Sequence, residues 1–310
     1  MVTYIIRRLV GMIPIILGVS LLVFLLFTSV GEDPVRIALG THATPEAIAD
    51  LQAKWGLDQP MYMQYLDFLR QIVTFDYGRS LETGEQLSQI FSRGAAVSLS
   101  LTVPPFIAGI LINLVIAILI AFYRGSWFDR YSTFFFVGAM SISYVVYIMT
   151  FQYFFAFKWG LFPINGYMSG LDAFYYLALP WIIIIVVSAG PDIRVFRTVF
   201  LDETKADYVR TAFAKGCSPR RVMFKHIMKN AMVPILTYTV INIPFLILGA
   251  FLMERFFSIP GIGDVMIRAI NNGDFPVIKG LTVILAITYA FFNLLTDILY
   301  AYVDPRVQLS

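Results

Sequence analysis

Few residues in this chain could do chemistry, and their spacing limits what that chemistry is. There is one cysteine, Cys217, and there are two histidines, His42 and His226, far apart in 310 residues. One cysteine excludes an internal disulfide and a cysteine-based zinc cluster, and two distant histidines do not make a metal site, so metal ligands are expected to be none. No Gly-x-x-x-x-Gly-Lys-Ser/Thr phosphate loop occurs, nor a Ser/His/Asp arrangement or His-Glu-x-x-His. Catalytic residues are therefore expected to be none, and no cofactor is expected on this chain. Asp297 is the one charged residue placed well inside an apolar segment. A charge at the bilayer centre costs roughly 2.5–3.5 kcal/mol, so Asp297 needs a protein interior and a partner. It is either a proton or cation site or a helix-packing hydrogen bond. Its place toward the segment end, with no other relay members, favours the second.

The richest polar stretch is Asp202–Lys229, DETKADYVRTAFAKGCSPRRVMFKHIMK. It reads as two helices with a turn. The first runs from Asp202 to Lys215, with Asp202 and Glu203 at its start, Lys215 at its end and Gly216 as the stop. The second starts at Ser218-Pro219, an N-cap followed by proline at the first helical position. At 100° per residue Arg221, Lys225 and Lys229 form one ridge, and Met223, Phe224, Ile227 and Met228 the opposite face. Such an elbow either lies on anionic lipid or docks a partner protein. Thr211, Ala212 and Ala214, flanked by charge of both signs, favour docking because small residues permit close approach.

The elements that must position this loop are membrane spans. Hydrophobic residues make up 58% of the chain and charged ones 14%, against about 25% charged in soluble domains. Six uncharged runs approach or exceed the ~20 residues that cross a bilayer: Leu9–Val30, Ala95–Phe122, Tyr131–Phe157, Phe174–Gly190, Ala231–Met253 and Gly280–Val303. Helices are the economical form for them. The first is too long for a signal-peptide core and lacks an Ala-x-Ala cleavage site, so it is expected to be retained. The fold class is thus all-α integral membrane.

Arg7 and Arg8 precede the first run, Arg124 and Arg130 follow the second, and nine Lys or Arg lie between the fourth and fifth. Gly31–Gly94 carries five basic residues against nine acidic ones. Both termini are therefore expected in the cytoplasm and Gly31–Gly94 outside. The organisation reads as 1–30, terminus and first helix; 31–94, extracytoplasmic segment; 95–303, a five-helix core containing loop 202–229; and 304–310, a tail. Within the outer segment Thr44-Pro45-Glu46 starts a helix with Ile48, Leu51 and Trp55 on one face and Gly56 as the stop. Met61–Val73 is a second amphipathic stretch with Tyr62, Tyr65, Leu66 and Leu69 on one side. These helices form a folded cap or a docking surface.

Polar residues in the apolar runs either line a passage or bond helix to helix: Asn113, Ser141, Ser143, Tyr144, Gln152, Thr237, Tyr238 and Asn242. In Phe257–Gly263, FSIPGIG, Pro260, Gly261 and Gly263 predict a tight turn, and Ile259 and Ile262 are expected to pack against protein.

RTAFAKGCSPRRVMFKHIMKNAMVPIL resembles the EAA loop of ABC-importer permeases in the dipeptide/oligopeptide/nickel family, and the chain looks like the first of that family's two permease subunits. The likeness spans nearly the whole length: YIIRRL, GLDQPMYMQYLDFL, DYGRS, IPGIG and DILYAYVDPR follow in order. It implies that the loop docks in a cleft on an ATPase. The motif positions are Arg210, Thr211 and Ala212, with Gly216 four residues on; Asp207, Ser218, Pro219 and Arg221 complete the expected surface. Arg210 stands where the general pattern has glutamate. Asn230 stands where a proline is common, with Pro234 later. The resemblance further implies a heterodimer with a second permease subunit, two ABC ATPase subunits that hold ATP and Mg, an extracytoplasmic binding protein and a bacterial inner membrane, with no nucleic acid. It places Ile259–Gly263 at the permease interface or outer gate, the rival being a turn with purely local packing. Peptides are the implied substrate, with nickel chelates, glutathione or oligosaccharides as alternatives. A stand-alone secondary transporter or channel would need intramembrane charge, which is nearly lacking, and a membrane anchor without transport is the third class.

Overall fold

The computed structural model describes residues 2–29, 44–55, 57–74, 76–246 and 250–303, together with Val35 and Leu39. His42, Gly56, Val30, the side chains of Leu51 and Trp55, and the 304–310 tail, on which expectations fell, lie outside the described residues. Among those described the chain is helical, apart from one isolated antiparallel bridge between Arg79 and Gln86. In order come α1 (Val2–Ser29), α2 (Pro45–Trp55), α3 (Met61–Thr74), α4 (Leu87–Phe122), α5 (Trp127–Met140) and α6 (Tyr144–Phe151), which runs on as a π-helical turn (Gln152–Lys158). They are followed by α7 (Ala173–Glu203), α8 (Asp207–Ala214), α9 (Pro219–Arg221), a second π-helical turn (Val222–Ile227) and α10 (Met228–Ile241). A 3-10 turn (Ile243–Leu246), α11 (Phe251–Phe256), α12 (Ile262–Asn272) and α13 (Phe275–Val303) complete the chain.

Among the described residues four helical stretches are long and apolar enough to cross a membrane: Leu9–Leu26, Leu87–Phe122, Gly170–Glu203 and Phe275–Leu299. The expected third span, Tyr131–Phe157, is instead a pair bent by 97° between α5 and α6. No proline causes the bend. The backbone tightens where Ser141 N–H bonds Gly138 C=O at 3.1 Å and Ile142 N–H bonds Ala139 C=O at 3.2 Å, and the Tyr147 hydroxyl adds a second donor to the Ala139 carbonyl at 3.0 Å. The expected fifth span, Ala231–Met253, is interrupted after Ile241, so it is not one continuous helix. The expected fourth span ends at Gly190, yet α7 continues to Glu203. Its 31 residues reach about 46 Å, well beyond a ~30 Å hydrocarbon layer.

The centre of the bundle is α4 against α7, pinned by Trp181 Nε1–H on the Ser100 carbonyl at 3.1 Å. At one end, Arg197 of α7 donates to Asp129 Oδ1 (2.7 and 2.9 Å), while Asp129 Oδ2 accepts the Gly125 N–H at 2.9 Å. This pair is largely buried and charge-assisted, so it holds the α4–α5 turn far better than an exposed pair would. At the other end α3 lies on α1 and α13. Phe68 and Ile72 enter the core with Val23, Phe24 and Val283, and Tyr65 and Leu69 pack beside them. Tyr62 and Leu66, expected on that face, are exposed; the buried stripe runs 65, 68, 69, 72. Lys279 Nζ sits 3.9 Å from the Phe68 ring centroid.

The Phe257–Gly263 turn is built around a buried acid. Glu254 accepts the Ser98 hydroxyl at 2.6 Å and the N–H groups of Gly263 and Asp264 at 2.6 and 3.1 Å. Ser98 Oγ in turn accepts the Ile262 N–H at 2.9 Å. A Cβ on Gly261 would stand 2.4 Å from the Glu254 carboxyl carbon. Gly261→Ala is therefore expected to cost about 1–3 kcal/mol by overpacking. Gly138→Ala, on α5 with open space at the Cβ position, is expected to be neutral. Apparent melting temperatures of the two variants in detergent check this; equal values would remove the steric role of Gly261.

Candidate functional site

Two surfaces collect the polar residues singled out in the sequence: the loop around α8 and a cleft among α4, α6, α7 and α10.

Helix α8 starts at Asp207, five residues later than expected. Asp202 and Glu203 close α7 rather than opening the loop helix, because α7 runs past its apolar stretch. The Gly216 stop is a Schellman closure: Gly216 (φ 77°) donates to Phe213 C=O at 2.9 Å and Cys217 N–H to Ala212 C=O at 3.1 Å. Ser218 then caps α9, accepting the Arg221 N–H at 3.4 Å, with Pro219 at the first helical position. These loop devices follow the sequence reading.

The orientation of α8 does not. Ala212, expected to give a partner close approach, is buried with Val209 against Phe196, Phe200, Val222, Met223 and Ile227. The outward face is instead Asp207, Arg210, Thr211 and Phe213, with Gly216, Ser218, Pro219 and Arg221 exposed beyond the stop. Arg210 and Asp207 form a fully solvated pair at 3.6 Å, worth little. Phe213, half exposed, was missed; an uncovered aromatic beside the motif was the available signal. Phe224, expected on the apolar face, is also half exposed, because the π-helical turn winds more slowly than the 100° wheel assumes. The Tyr208 hydroxyl donates to Glu203 Oε2 at 2.5 Å; burial first, and then that carboxylate, raise its pKa above the ordinary tyrosine value.

The cleft has a volume of about 280 Å³. Of the polar residues singled out in the sequence, Tyr144, Tyr238 and Asn242 line it, together with Thr102, Ser188, Asp192 and Thr239. Asn113 lies buried behind, its Nδ2 donating to Asp192 Oδ2 at 3.0 Å. Thr237 does not line the cleft; its neighbour Thr239 does. Ser141 and Ser143 stand at the α5–α6 bend, and Gln152 donates to the carbonyls of Ile164 and Phe256 at 2.7 and 3.2 Å; none of the three is in the cleft lining. Asp192 was missed because the span was ended at Gly190. Asp297 is half-buried on α13, away from the cleft lining.

Ile259 and Ile262 are fully buried within this chain, as are Gly261 and Gly263, so both isoleucines already have a packing surface inside it, Ile262 against α4. Of the turn, Ser258 and Pro260 are exposed. Among the described residues no group of three His, Cys, Asp or Glu could hold a metal ion.

One buried cluster joins the two surfaces. Phe196 and Phe200 of α7 carry Val209 and Ala212 of α8 on one side. On the other, Phe196 meets the Tyr238 ring edge-on at 5.8 Å, and the Tyr238 hydroxyl donates to Asp192 Oδ1 at 3.0 Å in the cleft wall.

Residues 113–309 match the family described as "Binding-protein-dependent transport system inner membrane component", and residues 1–92 match its N-terminal counterpart. A probable peptide ABC transporter permease of Sinorhizobium fredii is 33% identical over 311 aligned positions, covering 98% of this chain and 99% of that protein. A dipeptide transport system permease of Alkalihalophilus pseudofirmus is 32% identical, covering 99% and 100%. A glutathione transport system permease of Salmonella typhimurium is 30% identical, covering 99% of each.

Because Ala212 faces the core, Ala212→Glu is expected to cost several kcal/mol by burying an unpaired charge, and so to reduce folded yield. Phe213→Ala, on the exposed face, is expected to leave the melting temperature within about 1 °C, since surface changes stay near ±0.5 kcal/mol. Thermal unfolding of both variants checks the orientation of α8; the reverse ranking would contradict it.

Proposed function

The chain belongs to the inner-membrane components of binding-protein-dependent transport systems, and from that premise we propose that it is one permease half of an ABC importer for peptides. The peptide assignment rests on the substrates named for its relatives, among which glutathione is itself a peptide. The partners are a second permease subunit, two ATPase subunits that hold ATP and Mg, and an extracytoplasmic binding protein delivering the substrate at a bacterial inner membrane. Six crossings complete the topology, the bent α5–α6 pair being the third and the interrupted run from α10 through α11 the fifth. The basic residues then put both termini and α8 in the cytoplasm.

The observation that carries the mechanism is the cluster around Phe196. A partner ATPase that closes on ATP would push on Arg210, Thr211 and Phe213. Val209 and Ala212 would pass that displacement to α7, and Tyr238 and Asp192 lie on the same packed body. Close-packed interiors deform little, so a shift at α8 is delivered to the cleft as rigid-body motion. The passage contains Tyr144, Tyr238 and Asn242, and Asn113 supports its wall.

Two measurements test this. In a variant with Cys217→Ser, a cysteine at Thr83 is expected to react with an impermeant thiol reagent in intact cells, and one at Lys215 only after permeabilisation; the opposite pattern overturns the topology. Phe213→Asp combined with Arg210→Glu is expected to reduce ATPase co-purification and uptake at least tenfold while the chain still inserts. Normal co-purification and normal uptake would exclude this face as the docking surface.

A further inference from the structure

We infer that Asp192 is an ammonium site in the passage, which takes the free N-terminal amine of a peptide as it moves through. This rests on the peptide reading above and names the chemical group recognised.

Asp192 lines the cleft from the middle of α7. Its carboxylate accepts hydrogen bonds from Asn113 Nδ2 and from the Tyr238 hydroxyl, both at 3.0 Å, and the Ser188 hydroxyl beside it is within reach as a third donor. All of these donors are neutral. No Lys, Arg or His lines the cleft, and among the described residues no basic side chain forms an ion pair with Asp192. A carboxylate offers about four acceptor positions, so this one retains unfilled acceptor capacity toward the cleft.

Its surroundings are also short of donors. Asn113 Nδ2 approaches Ser188 Oγ at 3.3 Å, while the Ser188 hydroxyl donates back to the Ile185 carbonyl at 3.1 Å. Asn113 Oδ1 is buried and has no hydrogen-bond partner among the described residues. Tying α4, α7 and α10 together needs no charge; an asparagine at 192 could do it without the desolvation penalty an ionised group carries inside an apolar bundle. What the site lacks is a cation with several donors, and an ammonium group has three.

The choice among cations follows from the lining. A divalent metal ion calls for several oxygen ligands with more than one carboxylate, and Asp192 is the single acid here. A proton relay would need a second titratable carboxylate or histidine in the cleft, and the lining supplies none. Aromatic rings of Phe106, Tyr144 and Phe245 line the same space and suit an organic cation with apolar flanks. A volume of about 280 Å³ lies at the low end of small-molecule pockets, which matches the leading end of a peptide rather than its whole length.

The test uses the complex of both permeases and both ATPases without the binding protein, so that the selectivity of the latter plays no part. Binding of trialanine and N-acetyltrialanine is measured by saturation-transfer NMR, with and without ATP. The wild type is expected to bind trialanine at least tenfold more tightly. Asp192→Asn should bring the two peptides within twofold, and Asp192→Glu should keep most of the preference. Asn242→Lys, one turn beyond Tyr238, should also abolish the preference by supplying a tethered ammonium, which keeps the test decisive if the first variant does not assemble. Equal binding of the two peptides to wild type, no trialanine binding, or an unchanged preference in Asp192→Asn would each overturn the inference. Trialanine uptake by the wild-type complex with its binding protein is measured alongside. If uptake proceeds without amine preference, the ammonium site fails alone; if there is no uptake, the peptide reading fails.

Discussion

An eight-residue helix does not persist on its own in water, so α8 exists because Val209 and Ala212 are buried against Phe196 and Phe200. The rest of the arrangement depends on that contact. Schellman closure at Gly216 ends α8, and the Ser218 cap turns the chain back, so that Val222, Met223 and Ile227 fill the other side of the same cluster. Through Tyr238 the cluster reaches the cleft wall. The loop is therefore a rigid extension of the bundle. Arg210, Thr211 and Phe213 are free to meet a partner because the neighbouring Val209 and Ala212 are fully engaged.

Buried acids elsewhere are held in a different way. Glu254 is met by backbone N–H groups and Ser98, and Asp274 by the Ser80 hydroxyl at 2.5 Å and the Leu81 N–H at 3.2 Å. Both tie distant parts of the chain together: Glu254 joins α4 to the 257–263 turn, and Asp274 joins the segment before α4 to the turn before α13. Several donors on each of these acids make their role positional. Asp192 also meets neutral donors, but it differs from these two in lining a cleft.

Much of this was legible in the residues, for identifiable reasons. Thr44-Pro45, Gly216 and Ser218-Pro219 state their local structure through side-chain size and hydrogen-bonding capacity alone, and each holds; Thr44 Oγ1 accepts the Ala47 N–H at 3.3 Å. What failed depended on tertiary context. Ending a span at Gly190 treats Asp192, Arg194 and Arg197 as loop, whereas the helix continues and Arg197 finds Asp129 68 positions away. Placing Phe224 on the buried face assumes a regular wheel through a π-helical turn. Ala212 and Ile262 look available to a partner in sequence because the surfaces that cover them, α7 and α4, come from elsewhere in the chain. The family resemblance points to the loop but does not say which side of it faces out.

If the Phe196 cluster transmits the stroke, α8 and the cleft-lining helix α10 move as one body when the partner ATPases bind ATP. Spin labels at Lys215 and Ile241, both exposed, placed in a Cys217→Ser background of the reconstituted complex, give that distance directly by pulsed electron resonance. Between the nucleotide-free and ATP-bound states the distance should hold within about 2 Å, since packed interiors are weakly compressible. A change beyond about 5 Å, roughly one helical turn, would mean that α8 slides on Phe196 and that the cluster does not transmit the stroke.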